Sequence, residues 1–137
     1  MINFYAARRK NMSDGTIKYY AHVANTQPIL RSEVIRAIEK VTSLSSSDVK
    51  SCLDALEYQI LEHLKQGRSV RLGDLGSFRP TLNVYTADTK DDVTATTIKR
   101  VRARFTPSAE MVRQLAVRNI NFVRVDGPTA PPADETE

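Results

Sequence analysis

The chain has 137 residues, 41% of them hydrophobic, and a single cysteine, Cys52. This length leaves room for one domain with a modest core, and one cysteine excludes an intramolecular disulfide. Residues 1–125 hold all 20 Lys and Arg and 12 of the 16 Asp and Glu, so they carry +8 (20 − 12), which favours a polyanionic partner. The absence of a long apolar run or a signal-peptide pattern predicts a soluble intracellular protein with no membrane segment.

The first 28 residues predict an added β-hairpin. Apolar and polar residues alternate over 2–6 and again over 17–23, which is the period of a strand with one covered face. Ser13, Asp14 and Gly15 lie between the two runs and favour a turn.

Two helices are predicted next. The first begins near Ser32, a good N-cap residue, with Glu33 in its first turn. For the second, Ser45 and Asp48 have capping-box spacing, and Gly67 is a natural stop. Its apolar residues recur every three or four positions: Val49, Leu53, Leu56, Ile60 and Leu64.

After Gly67 the pattern changes to the period of a strand. Gly73 and Gly76 mark turns or bulges, and Phe78 enters a second β segment that passes through a polar stretch over 86–97. A strand restarts at Ile98, a last helix begins near Ser108, and residues 119–125 read as one more short strand. The tail over 126–137 is acidic and Pro-rich, and we expect it to be flexible.

Residues 98–104 contain the strongest sign of a binding surface. In an extended strand Arg100, Arg102 and Arg104 lie on one face about 6.6 Å apart, and Lys99 and Phe105 point the other way. An anionic partner accounts better for three adjacent arginines than a merely solvated strand face, although the latter stays open. Further candidates for DNA contact are Lys99, Arg79, Arg31, the backbone amides at Gly76 and Ser77, and the helix start at Ser108.

No pattern in the sequence indicates catalysis, a cofactor or a metal. His22 and His63 lack partners at ligand spacing, and Cys52 reads as a small apolar helix residue. Gly73 to Gly76 has a GxxG form, but its position between strands favours a tight turn over a nucleic-acid clamp. We therefore predict that the protein is not an enzyme.

The order of these elements resembles the bacterial histone-like DNA-binding family of HU and integration host factor. The resemblance covers residues 29–118 and is carried by Gly67-x-x-Val70-x-Leu72, Gly76-Ser77-Phe78 and Phe105-x-Pro107-Ser108. It implies an α+β fold: a helical homodimer base, a β-sheet saddle and a two-stranded arm that reaches around double-stranded DNA. The predicted domains are a β extension over 1–28, an HU-like domain over 29–118, a strand over 119–125 and the tail.

The sequence departs from the family at the tip of the arm. The family inserts a proline there between base steps, whereas the only proline between Phe78 and Phe105 is Pro80, at the base of the arm. The tip carries Asp88, Asp91 and Asp92 against one lysine, which opposes entry into the electronegative minor groove. With its N-terminal extension, the chain resembles the divergent, extended HU-related branch.

These patterns predict a homodimeric protein of the cytoplasmic nucleoid that binds double-stranded DNA largely without regard to sequence, through phosphate and minor-groove contacts. The alternative is an HU-like dimeric scaffold whose added strands bind a protein partner at the N-terminal hairpin, with weak or no DNA binding. Single-stranded DNA or RNA is a third possibility.

Overall fold

Strands and helices occur in separate runs along the chain, so the fold is α+β, as predicted. The computed structural model describes residues 1–24 and 27–128. The elements are β1 Ile2–Lys10, β2 Ile17–Val23, α1 Arg31–Val41, α2 Ser46–Lys65, β3 Val70–Arg71, β4 Gly76–Val84, β5 Ile98–Pro107, α3 Ala109–Gln114 and β6 Phe122–Arg124. They divide into two units, one made of Met1–Glu33 and Leu115–Glu137 and the other of Val34–Gln114.

The first unit contains a three-stranded sheet in the order β2-β1-β6. β1 and β2 form the predicted antiparallel hairpin, paired from Phe4 opposite Val23 to Lys10 opposite Ile17. β6 adds to the other edge of β1 in parallel, and it is shorter than the strand predicted over 119–125 because a 3-10 turn occupies Val117–Asn119. The domain boundaries stay predictions, and residues 129–137 of the predicted flexible tail lie outside the described residues.

Helix α1 begins at Arg31, so its cap position lies two residues before the predicted one. The amide of Glu33 donates to the carbonyl of Leu30 at 3.1 Å, so Leu30 occupies the cap position and Ser32 lies inside the first turn. The prediction of Ser32 as N-cap was therefore wrong. The Leu30 carbonyl accepts the hydrogen bond of this first turn. The carboxylate of Glu33 also lies in this turn, where the helix dipole favours a negative charge.

Both ends of α2 were predicted correctly. The Asp48 amide donates to Ser45 Oγ at 3.2 Å, and the Ser45 amide donates to Asp48 Oδ2 at 3.1 Å, which completes a capping box. At the other end Gly67 adopts a φ of +75°. The amides of Arg68 and Gly67 donate to the carbonyls of His63 and Leu64, each at 3.0 Å, which is the Schellman arrangement.

The second unit contains an antiparallel sheet in the order β3-β4-β5. A tight turn joins β3 to β4, and both predicted turn glycines have positive φ, +56° at Gly73 and +143° at Gly76. β4 and β5 form a ribbon of nine residue pairs, about 30 Å long. The polar stretch after β4 forms two 3-10 turns, Lys90–Asp92 and Ala95–Thr97, closed by a 2.8 Å hydrogen bond from the Tyr85 amide to the Thr97 carbonyl.

Pro80 lies within β4 without breaking the sheet. β3 pairs only with Ser77 and Phe78, so β4 has an open edge from Arg79 onward. A proline in a strand needs such an open edge because it has no amide hydrogen to donate.

Candidate nucleic-acid interface

The β4–β5 ribbon sorts its side chains into two chemically different faces. Directly opposed residues of an antiparallel pair share a face, as do alternate residues along a strand. The register places Arg79 opposite Arg104, Thr81 opposite Arg102 and Asn83 opposite Arg100. Arg71 of β3 pairs with Ser77 and joins the same face. We call this surface the arginine face; its members are Arg71, Arg79, Arg100, Arg102 and Arg104.

The other face of the ribbon is apolar. Phe78 lies opposite Phe105 with ring centroids 5.1 Å apart, and Leu82 lies opposite Val101. The prediction that Phe105 packs away from the arginines is confirmed by this contact. Because this face is apolar, the arginine face is the side of the ribbon that can bind a charged partner.

The five side chains of the arginine face are exposed and uncompensated. Within residues 1–24 and 27–128, none of them forms an ion pair or a side-chain hydrogen bond. Like charges that face each other across a strand pair are destabilising. The face therefore carries a repulsion within the folded chain that a bound anion would relieve.

Lys99 lies at an irregularity in the ribbon. The register shifts between Asn83 and Val84, which face Arg100 and Ile98, so Lys99 has no directly opposed partner. Its Nζ lies 4.1 Å from the centroid of the Tyr85 ring, a cation–π contact. This contact holds Lys99 near the outer end of the ribbon, apart from the arginine face.

Ser108 and Gly76, two of the positions predicted to contact DNA, also make contacts within the fold. Ser108 Oγ donates to the Asp74 carbonyl and accepts from the Met111 amide at 3.0 Å, while the Ser108 amide donates to the Leu75 carbonyl at 3.4 Å. Gly76 is buried, and a Cβ there would collide with the Thr106 carbonyl oxygen. Ser108 thus ties α3 to the β3–β4 turn, and Gly76 permits close approach of the strands.

The remaining predicted residues are divided between the two units. Ser77 is half-buried opposite Thr106, at the inner end of the arginine face. Arg31 is the exposed first residue of α1 and belongs to the unit of Met1–Glu33 and Leu115–Glu137, so it stays a separate prediction. The acidic residues of the tip are exposed in the loop beyond the ribbon: Asp88, Asp91 and Asp92.

Sequence reasoning missed Arg71. Its signal was the alternation of Val70 and Leu72 around it, which puts Arg71 on the side of β3 away from those apolar residues. Only the pairing of Arg71 with Ser77 reveals that this side continues into the row on β5.

Residues 1–24 and 27–128 contain no group of His, Cys, Asp and Glu side chains able to hold a metal ion. His22 Nδ1 lies 2.9 Å from the carbonyl oxygen of Val23, and Cys52 is an exposed residue of α2. No helix in this part of the chain is both long and apolar enough to cross a bilayer.

Two solved structures resemble this chain in fold. A candidate bacterial DNA-binding protein from Bacteroides vulgatus aligns over 93% of this chain with a TM-score of 0.66 and 14% identity, and the chain spans 50% of the length of that protein. A mutant HU protein from Thermotoga maritima aligns over 64% of this chain and 99% of its own, with a TM-score of 0.49 and 22% identity. Among curated proteins, none matches the chain.

A family model matches residues 1–122, which includes the N-terminal hairpin as well as the helices and the ribbon. The family is described as an HU domain fused to a wHTH, Ig, or glycine-rich motif. The resemblance to HU predicted from the sequence is confirmed by this match. The chain belongs to the HU-HIG family of HU-like DNA-binding proteins.

Proposed function

We propose that the protein is an architectural protein of the bacterial nucleoid that binds double-stranded DNA as a homodimer, largely without regard to base sequence. The arginine face meets phosphates along the duplex, and the ribbon carries that face along the minor groove. The role is structural and needs no catalysis. The protein acts in the cytoplasm, where the chromosome lies.

One observation carries this proposal: five exposed arginines share one face of the β3-β4-β5 sheet, four of them on a ribbon about 30 Å long, and none has an anionic partner among the described residues. A strand advances about 3.3 Å per residue, so arginines at alternate positions on β5 are about 6.6 Å apart. Each DNA strand carries one phosphate charge per about 3.4 Å of helix axis, so a row of arginines at this spacing can face a run of phosphates. Arginine is suited to phosphate because its planar fork donates two parallel hydrogen bonds.

A second copy of the chain is the proposed cover for the apolar surface. The hydrophobic residues buried within the described ranges are Ala24, Val49 and Leu64, too few to stabilise a chain of this length. On α2, Leu56 is in phase with Val49 and Leu64 yet remains 37% exposed. The apolar face of the ribbon is also open, with Leu82 57% and Val101 60% exposed. Pairing of two copies through α2 and this face would complete one core.

The proposed binding is sequence-tolerant and does not include a sharp kink. Arginines aligned on phosphates carry no base readout, so any preference comes from the shape and stiffness of the duplex. Kinking proteins insert an apolar wedge between base steps. The tip over 86–97 offers no proline and carries exposed acids instead.

The alternative function, binding of a protein partner through the added strands, stays a prediction. It rests on β2, which is an edge strand of the first sheet and is exposed along its whole length. An open edge of this kind can accept a strand from another protein.

The test of the proposal compares two charge-matched variants of the full chain. One carries Arg100→Gln, Arg102→Gln and Arg104→Gln; the control carries Arg36→Gln, Lys40→Gln and Lys50→Gln on exposed helix positions. Fluorescence anisotropy with a labelled duplex of ~30 bp measures Kd. We expect the ribbon variant to bind at least about tenfold more weakly, or about 1.4 kcal/mol, with the control near wild type. Equal losses in both variants, or no binding by the wild type at low salt, would overturn the proposal.

A further inference from the structure

We propose that the free end of the N-terminal hairpin is a second contact surface for duplex DNA, separate from the arginine face. The surface, here called the hairpin end, consists of residues 8–18 and includes Arg8, Arg9, Lys10 and Lys18. This inference rests on the proposed function only in taking duplex DNA as the partner.

The hairpin end is strongly cationic. Its four basic residues face one acid, Asp14, so residues 8–18 carry +3 (4 − 1). All four basic side chains are exposed, and within residues 1–24 and 27–128 none has an ion-pair partner.

The single acid of the hairpin end is committed to the turn. Asp14 Oδ1 accepts hydrogen bonds from the amide of Thr16 at 3.0 Å and from its hydroxyl at 2.7 Å. The hydroxyl bond, and then the amide bond, hold the pKa of the Asp14 carboxyl below its ordinary value. The carboxylate is thus held by Thr16 and not by an ion pair with any of the four cations, and the net charge of the hairpin end stays +3.

The register puts two of the cations face to face. Arg9 lies directly opposite Lys18, which is an unfavourable pair in an isolated hairpin. With Lys10, Asn11 and Met12 they line an open depression of about 500 Å³ at the end of the hairpin. Three cationic side chains around one open depression match the negative charge of a phosphate.

Aromatic rings continue the same face toward the body of the sheet. Alternation and pairing place Tyr20, His22 and Tyr5 on the side of Arg9 and Lys18. The Tyr5 and His22 rings lie 5.5 Å apart, and those of Tyr20 and His22 lie 6.2 Å apart. Such rings beside cations offer flat apolar surface to the sugars that lie between phosphates. A surface that combines rings with cations is better suited to a nucleic acid than to a simple inorganic anion.

The loop that holds these residues is well ordered by hydrogen bonds. The Asn11 amide donates to the Thr16 carbonyl at 2.8 Å, and the Gly15 amide donates to the Asn11 carbonyl at 3.0 Å. Asn11 Oδ1 also accepts from the Ser13 hydroxyl at 2.9 Å. A preorganised loop loses little conformational entropy when it binds.

The exposure of the cations favours a polymer over a small anion. Strand alternation places Arg8 on the opposite face from Arg9 and Lys18, so a single small ligand in the depression cannot meet all four cations. A duplex presents its phosphates as an extended surface, and each neutralised phosphate releases counterions, so cations spread along the hairpin end can each contribute to binding.

The test uses the full chain with Arg9→Gln, Lys10→Gln and Lys18→Gln, beside the ribbon variant and the helix control described above. Anisotropy titrations with a ~30 bp duplex at several salt concentrations give Kd and the slope of log Kobs against log salt. We expect the hairpin variant to bind at least about fivefold more weakly, with a slope shallower by about two. The helix control should keep the wild-type slope.

A direct measure of proximity complements the titration. Met12 lines the depression and is 97% exposed, so Met12→Cys in a Cys52→Ser background can carry a photo-crosslinker. We expect it to crosslink the duplex, whereas the same label at Tyr58→Cys, on an exposed position of α2, should not. Wild-type affinity and slope in the hairpin variant, together with no crosslink from Met12→Cys, would overturn the inference.

The outcomes separate this inference from the proposed function. If only the ribbon variant loses affinity and Met12→Cys gives no crosslink, the hairpin surface is overturned and the arginine face stands. If the hairpin variant binds duplex normally but loses a protein or a single-stranded RNA, the inference is likewise overturned. A wild-type chain that binds no duplex at low salt overturns both.

Discussion

Arg79 and Arg104 stand directly opposite each other across β4 and β5, on the same face of the ribbon, with no carboxylate partner among the described residues. Like charges directly opposed across a strand pair destabilise the sheet. The folded chain thus keeps an unfavourable pair at the surface proposed to bind DNA. This is the expected sign of a site whose charges serve a partner rather than the fold.

Replacing one member of this pair should raise stability and weaken binding together. We expect Arg104→Thr to raise Tm by about 1–4 °C at low ionic strength, because it removes the opposed charge and threonine suits a strand. Differential scanning fluorimetry measures Tm. The control is Arg102→Thr, whose opposed residue is Thr81, and its gain should be smaller. A lower Tm for Arg104→Thr would contradict this explanation of the pair.

The proposed dimer predicts a strong effect at Leu56. The charge introduced by Leu56→Lys would lie in the surface that the second copy covers, so we expect loss of the dimer or of the fold. Size-exclusion chromatography with light scattering, combined with circular dichroism, separates these results from a stable dimer. Tyr58→Lys is the control, since Tyr58 lies half a turn away on α2 and is 61% exposed. A stable Leu56→Lys dimer would argue against pairing through this face.

The close approach of β4 and β5 predicts a large penalty at Gly76. A Cβ there would meet the Thr106 carbonyl oxygen and lie 2.8 Å from two carbons of the Phe105 ring, and the φ of +143° is itself strained for other residues. We expect Gly76→Ala to lower the free energy of unfolding by at least about 2 kcal/mol more than Gly73→Ala does. Gly73 also has positive φ, but its added Cβ would meet nothing within 4 Å. Urea unfolding compares the two, and equal costs would show that backbone strain alone matters.

The capping box predicts how stability changes in acid. The hydrogen bond from the Ser45 hydroxyl, and then that from its amide, lower the pKa of Asp48 from the ordinary value of 3.8. Because the pKa of Asp48 is lower in the folded chain than in the unfolded chain, its carboxylate stabilises the fold when the pH is above the pKa of the unfolded chain. This contribution is lost as the pH falls through the pKa of the folded chain. The stability lead of the wild type over Asp48→Asn should therefore be full well above pH 3.8 and shrink as the pH falls below that value. A lead that stays constant across this range, measured by thermal unfolding, would contradict the assignment.

The elements with local signals were predictable from the sequence. The box of Ser45 and Asp48, the stop at Gly67 and the turn around Gly15 depend on residues a few positions apart, so their spacing alone specifies them. The start of α1 could not be predicted in this way, because the backbone carbonyl of Leu30 accepts the hydrogen bond there in place of a side-chain cap. The hydroxyl of Ser32 suggested an N-cap, but Ser32 lies inside the helix.

The candidate site was predictable in part. The row on β5 follows from alternation, and Arg79 was a candidate on the opposite strand, but its place directly opposite Arg104 and the extension to Arg71 depend on the register between strands. The bulge at Lys99 and the hydrogen bond that Ser108 Oγ donates to the Asp74 carbonyl likewise depend on tertiary contacts. Neither has a local sequence pattern that would have identified it.

The most direct test of the central claim is the salt dependence of duplex binding by the wild type and by the variant with Arg100→Gln, Arg102→Gln and Arg104→Gln. Each phosphate contact contributes about 0.9 to the slope of log Kobs against log salt. We predict a steep negative slope for the wild type and a slope shallower by at least about 2.5 for the variant, with similar affinity for unrelated sequences. Parallel slopes for the two proteins would show that the arginine face does not bind the phosphates of DNA.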